Sequence, residues 1–227
     1  MNLIKQALNL YKTAFPNDSD EFVQEFMDRY FENNCRYIIK NGKLVSMLFL
    51  LEGSITANNK TYPAYYLYAA ATHPEYRRQG LMAELICKVK EETNQKGFLL
   101  ATKPANKSLY EYYGKFGFKT VFYSKKYHEL PNGNNLSVSD YISKREEFLK
   151  SVPHFTLKDI EYAISSFRLV GNENFCAAIE VTEKGEQIKE CVFSSVNIED
   201  FDQPFAMLLT PPNTTFPNKL YFGIAMD

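Results

Sequence analysis

The residues of this chain with the clearest chemical potential are two arginines and a glycine between an apolar segment and an amphipathic one. Arg77, Arg78 and Gly80 follow the uncharged residues 65–72 and come directly before a helical pattern that begins at Leu81. The first N–H groups of a helix have no partner inside it and carry the positive end of the helix dipole, so phosphates bind there. Gly80 lets a ligand approach the backbone because it has no Cβ. The pattern predicts a phosphate or diphosphate site, and a solvated connection with two surface arginines is the alternative that so short a motif leaves open.

This turn resembles the acyl-CoA pyrophosphate loop of the GNAT superfamily of N-acetyltransferases. Residues 76–82 read Tyr-Arg-Arg-Gln-Gly-Leu-Met, and the family's loop is written Arg/Gln-x-x-Gly-x-Gly/Ala. Arg77 and Gly80 match that pattern, whereas Met82 stands where the family has its last small residue. The departure concerns the tightness of the turn more than the use of its backbone N–H groups.

A second motif agrees with the first and follows it along the chain. Residues 106–118 resemble the late helix of the family, which ends in Tyr-x-x-x-Gly-Phe, and Tyr113, Gly117 and Phe118 supply those residues. The resemblance covers about residues 1–130. It implies an α+β fold in which a mixed, mostly antiparallel sheet is flanked by helices. It also implies an N-acetyltransferase with acetyl-CoA as co-substrate and an amine as acceptor.

The resemblance also assigns residues that bind the coenzyme. The backbone of Ala70, Ala71 and Thr72 is expected to pair with the pantetheine arm like an added strand, and an N–H group there is expected to face the thioester oxygen. Small residues that simply pack under the next helix are the alternative. Asn106 is expected to help place the same arm. The residues expected to hold the diphosphate are Arg77, Arg78, Gln79, Gly80, Leu81 and Met82.

The resemblance assigns an acid but no base. Tyr113 aligns with the family's tyrosine near the thioester sulfur, and a phenol with a pKa of about 10 is expected to donate a proton to the departing thiolate. A core or rim tyrosine is the alternative, since the chain has 16 tyrosines. Residues 62–72, where many relatives carry a basic carboxylate, contain no acidic residue, and the candidates elsewhere are Glu52, His73 and the terminal Asp227. A water relay or an amine of low pKa would need no dedicated base. A catalytically silent acyl-CoA-binding or regulatory module is therefore the second hypothesis.

Composition and charge narrow the class of protein. The 227 residues are 45% apolar and 23% charged, with a formal net charge of −1. This is typical of a globular protein with a sizeable core and gives no reason to expect binding to nucleic acid or membranes.

No segment resembles a membrane span or a signal peptide, so we expect a cytoplasmic protein. The cysteines are too far apart for a zinc site or a disulfide scaffold, so we expect no metal and four buried thiols, at Cys35, Cys87, Cys176 and Cys191.

Local patterns predict the elements of the first 130 residues. Apolar residues at helical spacing predict two early helices separated near Pro16, and the N-caps available to the second are Asp18, Ser19 and Asp20. Asn41 and Gly42 predict a tight hairpin turn, and Gly97 predicts the end of the helix that begins at residue 81. The remaining predicted elements are strands at 35–39, 44–51, 62–72, 98–102 and 120–129 and a helix at 106–116.

The second half is predicted to form a smaller unit. Residues 131–139 are rich in Asn and Gly and read as a linker between a domain at 1–130 and a divergent one at 140–227. The elements predicted there are helices at 141–149, 158–165 and 198–207 and strands at 167–170, 175–183, 187–193 and 220–225. Their order suggests a truncated copy of the first unit, as in the two-copy enhanced intracellular survival acetyltransferases, whose motifs are similar. Because no Arg-x-x-Gly turn precedes residue 198, we expect no second coenzyme site, and the aromatic residues there could support a homodimer.

Overall fold

The computed structural model describes residues 2–127, 129–182, 185–211, 214 and 216–224. The helices are α1 (Leu3–Ala14), α2 (Asp20–Asn34), α3 (Leu81–Lys96), α4 (Lys107–Gly114), α5 (Val138–Leu149) and α6 (Ile160–Ile164). The strands are β1 (Cys35–Lys40), β2 (Lys43–Ala57), β3 (Lys60–Thr72), β4 (Leu99–Thr102), β5 (Lys119–Ser124), β6 (Asn134–Asn135), β7 (His154–Leu157), β8 (Arg168–Gly171), β9 (Phe175–Thr182), β10 (Gly185–Phe193), β11 (Gln203–Leu209) and β12 (Leu220–Tyr221). Short 3₁₀ turns lie at Pro74–Tyr76 and Ile198–Asp200. Asp227 and the last residues of two predicted strands, 183 and 225, lie outside the described residues.

The larger sheet has eight strands in the order β1-β2-β3-β4-β11-β5-β12-β7. Strands β1, β2 and β3 form an antiparallel meander, and β3 and β4 run parallel on either side of the α3 crossover. Strand β7 pairs with β2 at residues 53–56, so the sheet closes on itself. The predicted α+β fold, with a mixed and mostly antiparallel sheet flanked by helices, is confirmed.

Short-range signals explain where several elements begin and end. Asn41 and Gly42 have φ angles of 50° and 73°, the left-handed backbone that tight hairpins need and that these residue types adopt readily. Ser19 begins α2 by accepting a hydrogen bond from the N–H of Phe22 at 3.1 Å. Gly97, with φ of 70°, ends α3. These predicted turns and caps are confirmed.

The prediction of a helix over residues 198–207 is wrong. After one 3₁₀ turn the chain forms β11, which lies between β4 and β5 and is antiparallel to both. Ala206 and Leu208 enter the hydrophobic cluster on one face of the sheet, and Met207 enters the cluster on the other. Apolar residues on both faces fit a buried strand as well as a helix, and pairing with two strands decides between them. The suggested second copy of the fold therefore lacks its helix and is not confirmed.

The chain after the predicted linker contributes to two sheets. A smaller, four-stranded sheet has the order β10-β9-β8-β6, whereas β7, β11 and β12 join the larger sheet. The prediction of a helix over residues 158–165 holds only for α6, and β7 before it was not predicted. Strand pairing thus connects residues on both sides of 131–139, and the division into two domains there stays a prediction.

The two faces of the larger sheet pack against helices through two hydrophobic clusters of different size. The cluster beneath α3 and α4 includes Leu67, Leu85 and Tyr113. The larger cluster beneath α1 and α2 includes Tyr11 and Tyr68, and it continues into the second half of the chain.

Within the described ranges, no helix has the length and apolar character needed to cross a membrane.

Three of the four thiols predicted to be buried are buried, and the prediction is wrong for Cys87, which is exposed on α3. Burial raises the pKa of the thiols of Cys35, Cys176 and Cys191 to about 12, and the thiolate is the reactive form. We expect a water-soluble disulfide reagent to modify about one thiol per native chain quickly, and the others only after unfolding. A Cys87→Ser variant should lose the fast phase, and rapid modification of further thiols would contradict this assignment.

Candidate functional site

Strands β3 and β4 separate at the C-terminal end of their shared ladder. The ladder ends at Leu67 and Thr102, while β3 continues to Thr72. We call this point of separation the fork. Beyond it, residues 68–72 have no β4 partner among the described residues, and their backbone groups on that side need other hydrogen-bond partners. This is the segment predicted to pair with the pantetheine arm.

A β-bulge lies directly after the fork. The register between β2 and β3 shifts after Tyr68, so that Ala69 and Ala70 together oppose a single residue of β2. Ala69 has φ of 47°, a left-handed conformation that is uncommon for residues other than glycine. Bulges redirect backbone groups out of the ladder and are frequent beside functional sites. The bulge gives the N–H group of Ala70 a way to point into the fork, whereas Ala71 pairs with Met47 of β2.

The start of α3 has the geometry of an anion site. Arg78 and Gly80 have φ angles of 59° and 77°, and left-handed residues next to a helix start turn successive N–H groups toward a common point. Among the described residues no side chain caps α3. The N–H groups of Leu81 and Met82 therefore have no partner within the helix and are available to a ligand.

One hydrogen bond holds this turn against the end of β3, and a second closes the turn on itself. Arg77 donates from Nε to the carbonyl oxygen of Thr72 at 3.2 Å, and Gln79 donates from Nε2 to the carbonyl oxygen of Glu75 at 3.3 Å. Residues 77–80 are exposed, as a site for a soluble anion requires. The structure thus brings together the residues predicted for the diphosphate and places them one turn beyond those predicted for the pantetheine arm.

Tyr113 is buried at the fork. The side chain of Thr102 lies beside its hydroxyl group, and Thr102 Oγ1 donates to the carbonyl oxygen of Leu67 at 3.3 Å. Burial raises the pKa of Tyr113 to about 12, although the neighbouring Thr102 side chain acts in the opposite direction. The phenol therefore stays protonated at neutral pH and can act as a hydrogen-bond donor. Its neighbours Tyr110 and Tyr112 are only half-buried.

Asn106 has a structural task in this fold. Its Oδ1 accepts hydrogen bonds from the hydroxyl group of Ser108 at 2.7 Å and from the N–H of Leu109 at 3.3 Å, which caps α4. Removing an Asn cap costs about 1 kcal/mol. A contact between Asn106 and the pantetheine arm stays a prediction.

The candidate bases have structural partners as well. Glu52 is nearly half exposed and forms an ion pair with Lys158 at 2.6 Å. His73 begins the 3₁₀ turn, where its Nδ1 accepts a hydrogen bond from the N–H of Glu75 at 3.4 Å. Asp227 lies outside the described residues. The geometry therefore gives no support to Glu52 or His73 as a general base.

Local sequence gave no signal for two features of the site. Thr102 lies beside Tyr113 at the fork, and a line of hydroxyl groups leads away from the fork through Tyr68 and Tyr11 to Asp18. Tyr68 and Tyr11 are 57 residues apart in sequence, so no periodic pattern connects them. The available hint was the position of Tyr68 immediately before three alanines at the end of an uncharged strand.

Three solved structures share this fold, and those from Kribbella flavida and Pyrococcus horikoshii are described as acetyltransferases. A GCN5-related N-acetyltransferase from Kribbella flavida aligns with a TM-score of 0.63 at 13% identity, over 85% of this chain and 55% of its own. Eis1 from Mycobacterium abscessus aligns with a TM-score of 0.60 at 9% identity, over 84% of this chain and 57% of its own. A protein from Pyrococcus horikoshii aligns with a TM-score of 0.56 at 12% identity, over 98% of this chain and 91% of its own. At these identities the likeness shows the fold alone, and the chain spans little more than half the length of the first two.

Sequence comparison adds the family. No curated protein sequence matches the chain significantly. The profile of the acetyltransferase (GNAT) domain matches residues 2–121, which is more than half of the chain and includes the fork, the turn before α3 and Tyr113. Acetyltransferases of this family use acetyl-CoA as co-substrate. The chain therefore belongs to the acetyltransferase (GNAT) family, as its two motifs predicted.

Proposed function

We propose that this protein is an acetyl-CoA-dependent N-acetyltransferase that moves the acetyl group to a primary amine of a small molecule or peptide by direct attack on the thioester. The observation that carries the proposal is the succession of an open strand end, an arginine-rich left-handed turn and an uncapped helix start along residues 68–82. Each supplies backbone groups that match one part of acetyl-CoA.

The coenzyme lies along this succession. Its diphosphate accepts hydrogen bonds from the N–H groups of Leu81 and Met82, and Arg77 and Arg78 add positive charge. The amides of the pantetheine arm pair with residues 70–72 on the side that β4 leaves open. An N–H group of the bulge then faces the thioester oxygen, and such a donor is worth about 10²–10³ in rate when the oxyanion forms.

Tyr113 acts on the leaving thiolate by donating a hydrogen bond. Complete proton transfer from a phenol with a pKa of about 12 to a thiolate whose thiol has a pKa near 8.5 is uphill by roughly 5 kcal/mol. A charge-assisted hydrogen bond requires no such transfer and strengthens as negative charge builds on sulfur. Tyr113 therefore stabilises the thiolate, and the proton that finally neutralises it comes from solvent.

A catalytically silent acyl-CoA-binding module is the second candidate. The observations in its favour are the absence of acidic residues from the sequence of β3 and the structural partners of Glu52 and His73. The two candidates differ in the expected effect of Tyr113→Phe. The enzyme should lose turnover and keep coenzyme binding, whereas a silent module has no turnover to lose.

Coenzyme binding is the first expected result. Coenzyme A at 100-fold its dissociation constant should raise the free energy of unfolding by about 2.7 kcal/mol, which corresponds to about 5–10 °C in melting temperature for a chain of this size. Pantetheine at the same concentration lacks the diphosphate and should shift the melting temperature less. An unchanged melting temperature with saturating coenzyme A would remove the basis for both candidates.

Acetyl transfer itself is tested with acetyl-CoA and a panel of primary amines. Turnover is best followed by the loss of thioester absorbance, since the exposed Cys87 would add to any thiol signal. Binding without turnover of any amine would favour the silent module.

The predicted homodimer is checked independently by sedimentation. The predicted cytoplasmic location is checked by fractionation of the cells that make the protein.

A further inference from the structure

A line of hydrogen-bonded side chains crosses the core from β3 to the turn between α1 and α2. The hydroxyl oxygens of Tyr68 and Tyr11 lie 3.0 Å apart, and Tyr11 donates to Asp18 Oδ2 at 2.9 Å. Tyr11 is fully buried and Tyr68 is 8% exposed, and the ring of Phe26 packs against both. Phenylalanine in either position would bury the same ring without a polar group, so the two hydroxyl groups need a reason beyond packing.

The line begins at the fork, on the face opposite Tyr113. Tyr68 is the first residue of β3 beyond the last pair with β4. It belongs to the cluster beneath α1 and α2, whereas Tyr113 belongs to the cluster beneath α3 and α4. The coenzyme reaches the fork from the α3 side, where its diphosphate is held. A thioester placed in the fork would therefore have one phenol on each side of the sheet.

The number of protons fixes the direction of the hydrogen bonds. Tyr11 has one hydroxyl proton, and it is directed to the Asp18 carboxylate, which only accepts. Tyr68 must therefore donate to Tyr11, and its oxygen can accept a proton on a lone pair. Burial first, and then Tyr68 and Asp18, raise the pKa of Tyr11, so this hydroxyl keeps a proton at all times and can only pass one on while receiving another.

We propose that Tyr68 takes the proton of the attacking amine and that Tyr11 and Asp18 carry it away from the fork. The proposal rests on the acetyl transfer proposed above and supplies the base that the sequence does not reveal. Tyr68 is the catalytic group, and Tyr11 and Asp18 act through it.

The step balances in atoms and charge. The amine nitrogen forms the C–N bond to the thioester carbon, and the C–S bond breaks with its electron pair on sulfur. The proton of the amine moves to Tyr68, the Tyr68 proton to Tyr11, and the Tyr11 proton to Asp18. The products are the amide, a thiolate that Tyr113 stabilises and a neutral Asp18. Asp18 lines a cavity of about 450 Å³ together with Glu25 and Glu180, through which it returns the proton to solvent.

The test uses Tyr68→Phe, Tyr11→Phe and Asp18→Asn in the full chain, with acetyl-CoA and two classes of nucleophile, primary amines and water. Each change is expected to lower kcat about 100-fold, a typical contribution of a general base, and to leave KM for acetyl-CoA unchanged. The melting shift with coenzyme A should also be unchanged. The double variant Tyr11→Phe/Asp18→Asn should be no slower than either single variant, because the groups work as one unit. Asp18→Glu keeps a carboxylate and should recover much of the rate.

Two control variants separate the relay from general damage to the core or the turn. Tyr30→Phe removes a hydroxyl group that donates to Asp159 at 2.9 Å in the same aromatic cluster. Asp20→Asn removes a carboxylate that lies two residues after Asp18. The Asp20 carboxylate pairs with Lys12 at 2.6 Å and is not part of the relay. Both controls should stay within about twofold of the wild-type kcat, the range expected for surface or unconnected changes.

The outcomes are distinct. Relay variants that keep the wild-type kcat, including variants whose kcat/KM falls only because KM for acetyl-CoA rises, would overturn the relay. They would leave the proposed acetyl transfer standing. A wild-type protein that binds coenzyme A but transfers acetyl to neither amines nor water would overturn both proposals. Equal losses in the relay and control variants would also overturn the relay, since they would show damage to the core.

Discussion

Replacing Arg145 by methionine is expected to lower the free energy of unfolding by about 3–5 kcal/mol, because it leaves a buried carboxylate without its counter-ion. Arg145 Nε donates to both carboxylate oxygens of Glu190, at 3.2 and 3.0 Å, and the two side chains are 2% and 0% exposed. Tyr141 and Tyr221 also donate to this carboxylate. Burial alone would lower the pKa of Arg145, but Glu190 more than offsets it and holds that pKa above its usual value.

The effect should be large because this network joins the two sheets. Glu190 lies on β10 of the smaller sheet, whereas Tyr221 lies on β12 of the larger one. Arg145 also donates from Nη1 to Thr156 on β7 at 3.0 Å. At Gly223, with φ of 73°, any Cβ would collide with the guanidinium group and with the carboxylate. A side chain at position 223 would therefore displace this ion pair.

Urea unfolding measures the loss, followed by circular dichroism and by tyrosine fluorescence, since the chain has no tryptophan. Arg168→Met is the matched control, because Arg168 pairs with Glu186 on the surface, where the side chains are 41% and 54% exposed, and such pairs contribute about 0–1 kcal/mol. The double variant Arg145→Met/Glu190→Gln should recover part of the loss because it removes the orphaned charge. A loss for Arg145→Met no larger than that of the control would show that the network does not hold the sheets together.

The parts of the fold that sequence predicts are those fixed by a few neighbouring residues. The turn at Asn41 and Gly42 and the end of α3 at Gly97 follow from which residues tolerate positive φ, and a cap such as Ser19 needs only the next three residues. The turn before α3 belongs to the same class, because a left-handed glycine and a helix start are both local. The prediction of a diphosphate site around Gly80 rests on this local backbone geometry.

What the sequence could not show depends on pairing between distant segments. Strand β11 enters the sheet between β4 and β5, and both of these come more than 75 residues earlier in the chain. No periodicity within residues 203–209 records that partnership, and a run that is apolar on both faces reads as a helix equally well. The line of hydroxyl groups could not be predicted for the same reason, since Tyr11 and Tyr68 meet only when α1 packs on β3. The burial of Glu190 likewise appears only in three dimensions.

Gly80→Ala is expected to weaken the binding of coenzyme A by at least about 30-fold, or roughly 2 kcal/mol. Gly80 has φ of 77°, and nothing lies within 4 Å of the position its Cβ would take. The space is therefore open toward solvent, which is where the diphosphate must come within hydrogen-bond distance of the N–H groups that follow. A methyl group there keeps the phosphate oxygens away from one or two charge-assisted hydrogen bonds, each worth about 1.5–3 kcal/mol.

Gly97→Ala is the control that separates this effect from backbone strain. Gly97 ends the same helix with φ of 70°, and a Cβ added there would also have nothing within 4 Å, so both substitutions should cost about 1 kcal/mol of stability through the same left-handed strain. Titration calorimetry with coenzyme A should then show a weakened site for Gly80→Ala and wild-type affinity for Gly97→Ala. Equal affinities in the two variants would mean that the diphosphate is held elsewhere. Because strain is matched at the two ends of α3, any difference in affinity between them measures the contact at its first turn.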